Sequence, residues 1–188
     1  FPEGWIVHNA ALTLLESDDQ ESGGRDILTK GAYSAFDLRL DFRITKGGNS
    51  GIKYYVTEEL NSQEGLGFGL EYQILDDEGH PDINEGSNHS LSSLYEMIPA
   101  EGKETKPIGE WNEARIISQD NHVEHWLNGK KVLEFERGSE RFRKLVKESK
   151  YPVRHEDERF GETDETPLLL QDHGDRVSFR NITIKRLD

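Results

Sequence analysis

The chain reads as an all-β protein, a mostly antiparallel β-sandwich or jelly roll, and three features of its sequence predict this. Apolar and polar residues alternate with a period of two along several short runs, the pattern of strands with one buried face. Turns rich in Gly or Asn separate those runs at close spacing, as in sandwiches and barrels. One stretch alone carries apolar residues at helical spacing.

In chain order, Phe36–Arg43 (FDLRLDFR) puts Phe36, Leu38, Leu40 and Phe42 on one side and charges on the other. Ile52, Tyr54 and Val56 alternate in the same way. Between these runs lies Lys46–Gly51 (KGGNSG). Its glycine spacing fits neither a P-loop nor a dinucleotide fingerprint, and no helical pattern follows. It is expected to be a tight inter-strand turn, with Asn49 available to a ligand. Phe68, Leu70, Tyr72 and Ile74 form the next apolar face, opposite Gly69, Glu71 and Gln73.

Asn128-Gly129, between Val123–Leu127 and Lys130–Phe135, is a hairpin signal, because both residues tolerate the positive φ of a type I′ turn. His125 shares its strand face with Val123 and Leu127 and is expected to be a hydrogen-bonded interior histidine. Trp111 and Trp126 are assigned to the core. Ser139–Lys150 places Phe142, Leu145 and Val146 at helical spacing behind a Ser139 N-cap, giving one short helix. From Tyr151 to Pro167 the chain is polar and charged, which predicts a long acidic surface loop. A strand follows over Leu168–Gly174, with Leu169, Gln171 and His173 on one face. Near the C-terminus the apolar face slips between Phe179 and Ile182, so a bulge is expected at Arg180-Asn181.

Composition bounds the function. At 188 residues the chain is expected to be one sandwich domain over 1–188. Thirty-seven acids against 23 Lys and Arg give a net charge of -14, which disfavours nucleic acid and anionic membrane as partners. There is no cysteine, hence no disulfide, thiol catalysis or Cys-based zinc site. No apolar run is long enough for a membrane helix. The chain starts at Phe1 without a methionine or a signal peptide, so an N-terminal segment is expected to have been removed.

If Phe68 to Ile74 face inward, Glu71 and Gln73 face out, and on a concave sheet they would line a groove. Gln171 and His173 are the candidate partners from a second strand. Amides beside ionisable groups suit the hydroxyls of a sugar ring, although the same pattern also describes an ordinary wet sheet face. The cluster Asp76, Asp77, Glu78, His80 and Asp82 reads either as a solvated acidic turn or as a divalent-ion site. Glu71 and Asp76 are poorly placed as a retaining carboxylate pair. Five residue steps set their Cα atoms roughly 16 Å apart on opposite faces, whereas retaining glycosidases need carboxyl groups about 5–5.5 Å apart.

Several motifs occur in order along the chain: Lys46–Tyr54 (KGGNSGIKY), Gly69–Asp76 (GLEYQILD), Gly109–Asn112 (GEWN), His125–Gly129 (HWLNG), Ser149–Tyr151 with Phe160-Gly161, and Leu170–Gly174 (LQDHG) through Phe179–Ile182 (FRNI). With them the chain resembles, from Gly4-Trp5 to Leu187, the 3-keto-disaccharide hydrolase domain family. Tyr55 stands where many members carry arginine. The resemblance implies a concanavalin A-like jelly roll with a short helix, and an exported bacterial protein, periplasmic or extracellular. It implies action on glycosides whose C3 hydroxyl is already a ketone.

Such a ketone acidifies the C2 proton, so one base can remove it and expel the C1 aglycone before water adds. On that reading Glu71, His173 and His80 are the candidate catalytic residues. Asn49, Gln73, Asp76, Tyr95, Gln171 and Arg180 are the candidate substrate contacts. Gln171, Arg180 or a divalent metal ion would hold the enolate oxygen, and no organic cofactor is expected. A non-catalytic carbohydrate-binding module is the alternative, since the same sandwich serves both.

Overall fold

The computed structural model describes residues 2–16, 26–57, 68–151 and 160–188. Two antiparallel sheets stack across one core. The first is seven-stranded, in the order β1 (Trp5–His8), β2 (Ala11–Leu14), β11 (Val177–Arg186), β4 (Phe36–Ile44), β7 (Asn112–Gln119), β8 (His122–Leu127) and β9 (Lys130–Glu136). The second is four-stranded: β3 (Ile27–Tyr33), β10 (Thr166–Leu170), β5 (Asn49–Thr57) and β6 (Phe68–Leu75). The architecture is the expected jelly-roll sandwich. The alternating residues of β4 join Ile52 and Tyr54 of β5, and Leu70, Tyr72 and Ile74 of β6, in a single hydrophobic core.

The local signals resolve as follows. Asn128 and Gly129 take φ of 50° and 80° in the β8–β9 turn. The bulge in β11 lies between Arg180 and Thr183, with Asn181 at φ 53°; it leaves Ile182 exposed and returns Ile184 to the core side. Helix α1 (Glu140–Glu148) starts at Ser139, whose Oγ accepts the Phe142 N–H at 3.1 Å. Its buried Phe142 stacks on Phe135.

Three expectations change. After Tyr54 the simple alternation ends: Tyr55 has φ 51° and the β5–β6 register shifts there, so Tyr54 and Tyr55 are both buried. Tyr55 donates to the Ser34 carbonyl and lies under the Arg137 guanidinium. The departure from the family at this position therefore concerns packing, not the groove. Trp111 and Trp126 are not core residues. Arg43 and Arg180 stack on the Trp111 ring, and Arg115 on that of Trp126. Period two requires this for Trp126, because Val123, His125 and Leu127 already take the inward face of β8. Strand β10 runs from Thr166 to Leu170, not from Leu168 to Gly174, so Gln171 and His173 lie just past its end, and a register shift between Pro167 and Leu169 absorbs the proline's missing N–H. Of the long loop, positions 152–159 lie outside the described residues.

His125 crosses the core, as its strand face implied. It is fully buried; Nδ1 lies 2.9 Å from the Ser92 carbonyl and Nε2 lies 2.7 Å from the Tyr54 hydroxyl. A carbonyl only accepts, so Nδ1 carries the proton and Nε2 receives the tyrosine O–H. One neutral imidazole thus ties β8 to β5 and to the chain at Ser92. Burial lowers its pKa from 6.5 to about 4. Folding therefore favours the neutral ring: the stability it supports is present above pH 6.5 and is lost as pH falls towards 4, by roughly 3 kcal/mol at most. Urea unfolding between pH 7 and 4 checks this. His125→Asn is expected to be less stable at pH 7 but to lose less stability on acidification than the parent.

Candidate active site

Glu71 and Gln73 stand on the face of β6 turned away from the core, yet they are only 5% and 1% exposed. The chain beyond the strand covers them. Segment Ser92–Tyr95 runs along the free edge of β6: Gln73 N donates to Ser93 O (3.1 Å), Ser92 N to Gln73 O (2.8 Å) and Tyr95 N to Glu71 O (3.1 Å). This pairing brings Tyr95 beside Glu71. On the other side, β5 sets Lys53 opposite Glu71 and Gly51 opposite Gln73. The Gln171 N–H then donates to the Gly51 carbonyl at 2.9 Å. Residues 71 and 51 thus sit on neighbouring strands, and residue 171, one past the end of β10, continues the row.

The result is a groove of about 200 Å³, room for about one sugar ring. Asn49, Lys53, Phe68, Gly69, Glu71, Gln73, Tyr95, Lys150, Tyr151, Gln171 and His173 line it. Six predicted residues therefore meet: Glu71, His173, Asn49, Gln73, Tyr95 and Gln171. Glu71 reaches over Gly51, where an added Cβ would overlap its carboxylate. Asn49 and Gln171 each bury an amide oxygen with no hydrogen-bond partner. An orphaned buried acceptor costs on the order of 1–3 kcal/mol, so both atoms await a ligand donor. The Gln73 amide oxygen accepts from Ile74 N, which leaves its amino group as the donor end. His173 is exposed at the groove mouth. Tyr95 accepts a hydrogen bond from Lys150 at 3.0 Å. Burial, then the charges of Glu71 and Asp82, raise its pKa far above the ordinary tyrosine value, so it remains a neutral O–H.

Three predicted residues lie elsewhere. Asp76 is buried in a turn and receives the Gly47 N–H (2.7 Å) and the Glu78 N–H (3.1 Å), which ties the KGGNSG turn to the end of β6. Both carboxylate oxygens are used, so Asp76 is structural. His80 caps the 3₁₀ turn Pro81–Glu85, accepting the Asp82 N–H on Nδ1, and does not line the groove. Arg180 belongs to the other sheet, where it pairs with Asp41 and stacks on Trp111. Strand parity placed it outward, but on the opposite layer. Nor is the acidic turn merely solvated, since Asp77 holds Leu91 N and Lys103.

Lys53, Lys150 and Tyr151 were missed. Alternation with Ile52 and Tyr54 already put Lys53 on the groove face. Lys150 and Tyr151 follow the helix, and no pattern predicted where that turn docks. A divalent ion in the groove would have to use Glu71, His173 and the two free amide oxygens, beside the Lys53 ammonium 3.9 Å from Glu71. That resident positive charge suits a cation poorly. Among the described residues, His122, Glu124 and Glu134 do have metal-ligand spacing, with atoms within 4.8 Å of one another. They lie on β8 and β9 of the other sheet, where the Lys131 ammonium already bridges Glu124 and Glu134.

Residues 1–185 match the 3-keto-alpha-glucoside-1,2-lyase-like domain. The chain belongs to this family. A 3-keto-disaccharide hydrolase of Bacteroides thetaiotaomicron is 34% identical over 208 residues, covering all of this chain and 71% of that protein. A Parabacteroides distasonis crystal structure, provisionally designated a glycosyl hydrolase, superposes with a TM-score of 0.87 at 32% identity, over 99% of this chain and 85% of that one. A second from that organism gives 0.72 at 27%, over 100% and 92%. The carbohydrate-binding module CBM66 of Bacillus subtilis, at 13% identity, shares the fold (TM-score 0.56; 96% of this chain, 90% of that one). The protein is therefore an enzyme of a glycosyl hydrolase family.

Because Gly51 makes room for Glu71, Gly51→Ala is expected to leave the melting temperature within a few degrees while lowering turnover about 10- to 100-fold, as misplaced catalytic groups do. Thermal unfolding and steady-state kinetics check the two halves.

Proposed function

We propose that the protein cleaves glycosidic bonds of 3-keto-glycosides by C2 deprotonation and elimination of the aglycone, followed by addition of water. The observation that carries this reading is that Glu71 is the one carboxylate among the described groove-lining residues. Acid–base hydrolysis of an ordinary glycoside uses two carboxyl groups, whereas elimination beside a ketone needs one base.

Glu71 takes the C2 proton, and the C–H electron pair moves into the C3 carbonyl as an enolate. The pair returns to form the C1–C2 double bond, and the C1–O bond breaks. The departing aglycone oxygen takes a proton. Water then adds at C1 of the enone while C2 regains a proton from Glu71, giving the free 3-keto-sugar. His173, which lines the groove, exchanges protons with the leaving oxygen and the incoming water. The free oxygens of Asn49 and Gln171 accept from sugar hydroxyls, while the Gln73 amino group and the neutral Tyr95 O–H donate. Export from a bacterial cell, which the resemblance implies, belongs to the same proposal.

Glu71→Gln is expected to lower aglycone release from a 3-keto-glucoside by about 10²–10⁴-fold, the range for a positioned acid or base. His173→Ala is expected to lower it less. The unoxidised glucoside is expected to resist the parent enzyme, and a chelator is expected to leave activity intact. Full turnover in both variants, measured by chromatography of the released aglycone, would remove the site assignment.

A further inference from the structure

Lys53 is a buried cation that the fold does not use. Its side chain is 7% exposed, and that of Glu71, directly across on β6, is 6% exposed. On its other flank Lys53 faces buried Leu169 of β10. The ammonium lies 3.9 Å from the Glu71 carboxylate, beyond hydrogen-bond reach, and Glu71 is its sole ion partner among the described residues. Where this molecule builds an ion pair for structure, the atoms close up: Arg115 meets Asp37 at 2.7 and 2.8 Å on the outer face of the other sheet. Burying an ammonium is costly unless hydrogen bonds compensate. Among the described residues no acceptor takes a Lys53 N–H, and the ammonium lies on the groove side, next to the carboxylate that reaches over Gly51.

We propose that Lys53 is a catalytic residue: its ammonium holds the C3 oxygen of the substrate and takes up the charge that develops there as Glu71 removes the C2 proton. This rests on the elimination reading above. The two atoms that change charge in that step, C2 and the C3 oxygen, belong to neighbouring carbons. Glu71 and Lys53 are neighbours across one strand pair, so a single ring can present C2–H to one and C3=O to the other. The pairing also sets specificity. A C3 ketone lets the electron pair from C2 arrive as oxyanion next to the ammonium, whereas a C3 alcohol offers no orbital to receive it. Lys53 stays an ammonium throughout and forms no bond to carbon.

The test uses D₂O and two substrates, a 3-keto-glucoside and a 3-keto-1,5-anhydrohexitol, which has no leaving group at C1. The parent enzyme is expected to exchange the C2 hydrogen of the second and to place deuterium at C2 of the product of the first, both read by NMR. Lys53→Gln is expected to slow exchange and cleavage together by about 100-fold or more, the cost of removing one oxyanion donor, with KM changed only a few-fold. Lys53→Arg is expected to recover part of the rate. If Lys53→Gln does not fold, Lys53→Met is assayed instead with the same two outcomes. A Lys53 variant that exchanges and cleaves within about three-fold of the parent overturns the proposal, as does a borohydride-trapped sugar adduct on Lys53. Cleavage by the parent with no deuterium entering at C2 and with no rate change when the substrate itself carries deuterium at C2 sinks the elimination reading itself, a result distinct from either.

Discussion

The β5–β6 half of the four-stranded sheet is buried on both faces, and only one of them is apolar. Its second face carries Lys53, Glu71 and Gln73, each at most 5% exposed, with Asn49 at 3% and Gln171 at 7%. Removing such groups from water costs several kcal/mol for each ion and about 1–3 kcal/mol for each unsatisfied amide. Among the described residues only part of that cost is recovered, through the long Lys53–Glu71 pair, the bond Gln73 accepts from Ile74 N and the one Asn49 donates to Asp82. A sheet face built for stability alone would be greasy or wet. A dry, polar and incompletely satisfied one is a surface prepared for a hydroxylated ligand that supplies the missing partners.

That face is extended past the edge of β6, and the extension is held from the far side of the sandwich. Segment Ser92–Tyr95 lies along β6 through backbone hydrogen bonds, and the neutral His125 ring receives it by donating to Ser92 O. Ser92 also pairs with the Tyr72 hydroxyl at 2.7 Å. The imidazole comes from the seven-stranded sheet, so core packing and groove geometry are linked by one side chain. The other end of the groove is set by a similar device. Asp76 fastens the KGGNSG turn, and Asp175 accepts the Asn49 N–H at 2.9 Å. Thus the acids near the site that look most reactive in the sequence are spent on holding it in shape.

Charge is segregated between the layers. The outer face of the seven-stranded sheet spends its arginines on Asp37, Asp41 and two tryptophan rings. Among the described residues the groove on the other sheet keeps a single carboxylate, facing the Lys53 ammonium. For a reaction in which a proton leaves carbon and charge appears on the adjacent oxygen, that asymmetric pair is more useful than two matched acids.

While Gln171 and His173 reach the groove from just past the end of β10, period-two alternation by itself determined the sandwich, the faces of β4 and β6, and the shared outward direction of Glu71 and Gln73. These follow from strand pleat, which is local and leaves its mark in every residue. The Asn128-Gly129 turn, the Ser139 cap and the β11 bulge were legible for the same reason. The tertiary structure alone decided what the pleat cannot encode: which layer each outward face belongs to, and what lies on top of it. Arg180 and Glu71 are alike outward by parity, yet one stacks on Trp111 and the other lines the groove beside Tyr95. Asp76 and His80 adjoin the site in sequence but turn into the backbone hydrogen bonds of their own loops, because buried N–H groups there needed acceptors. Lys53 became a candidate only when burial showed its ammonium to be dry and unpaired at close range. Burial is a property of long-range packing, and no spacing rule along a single strand contains it.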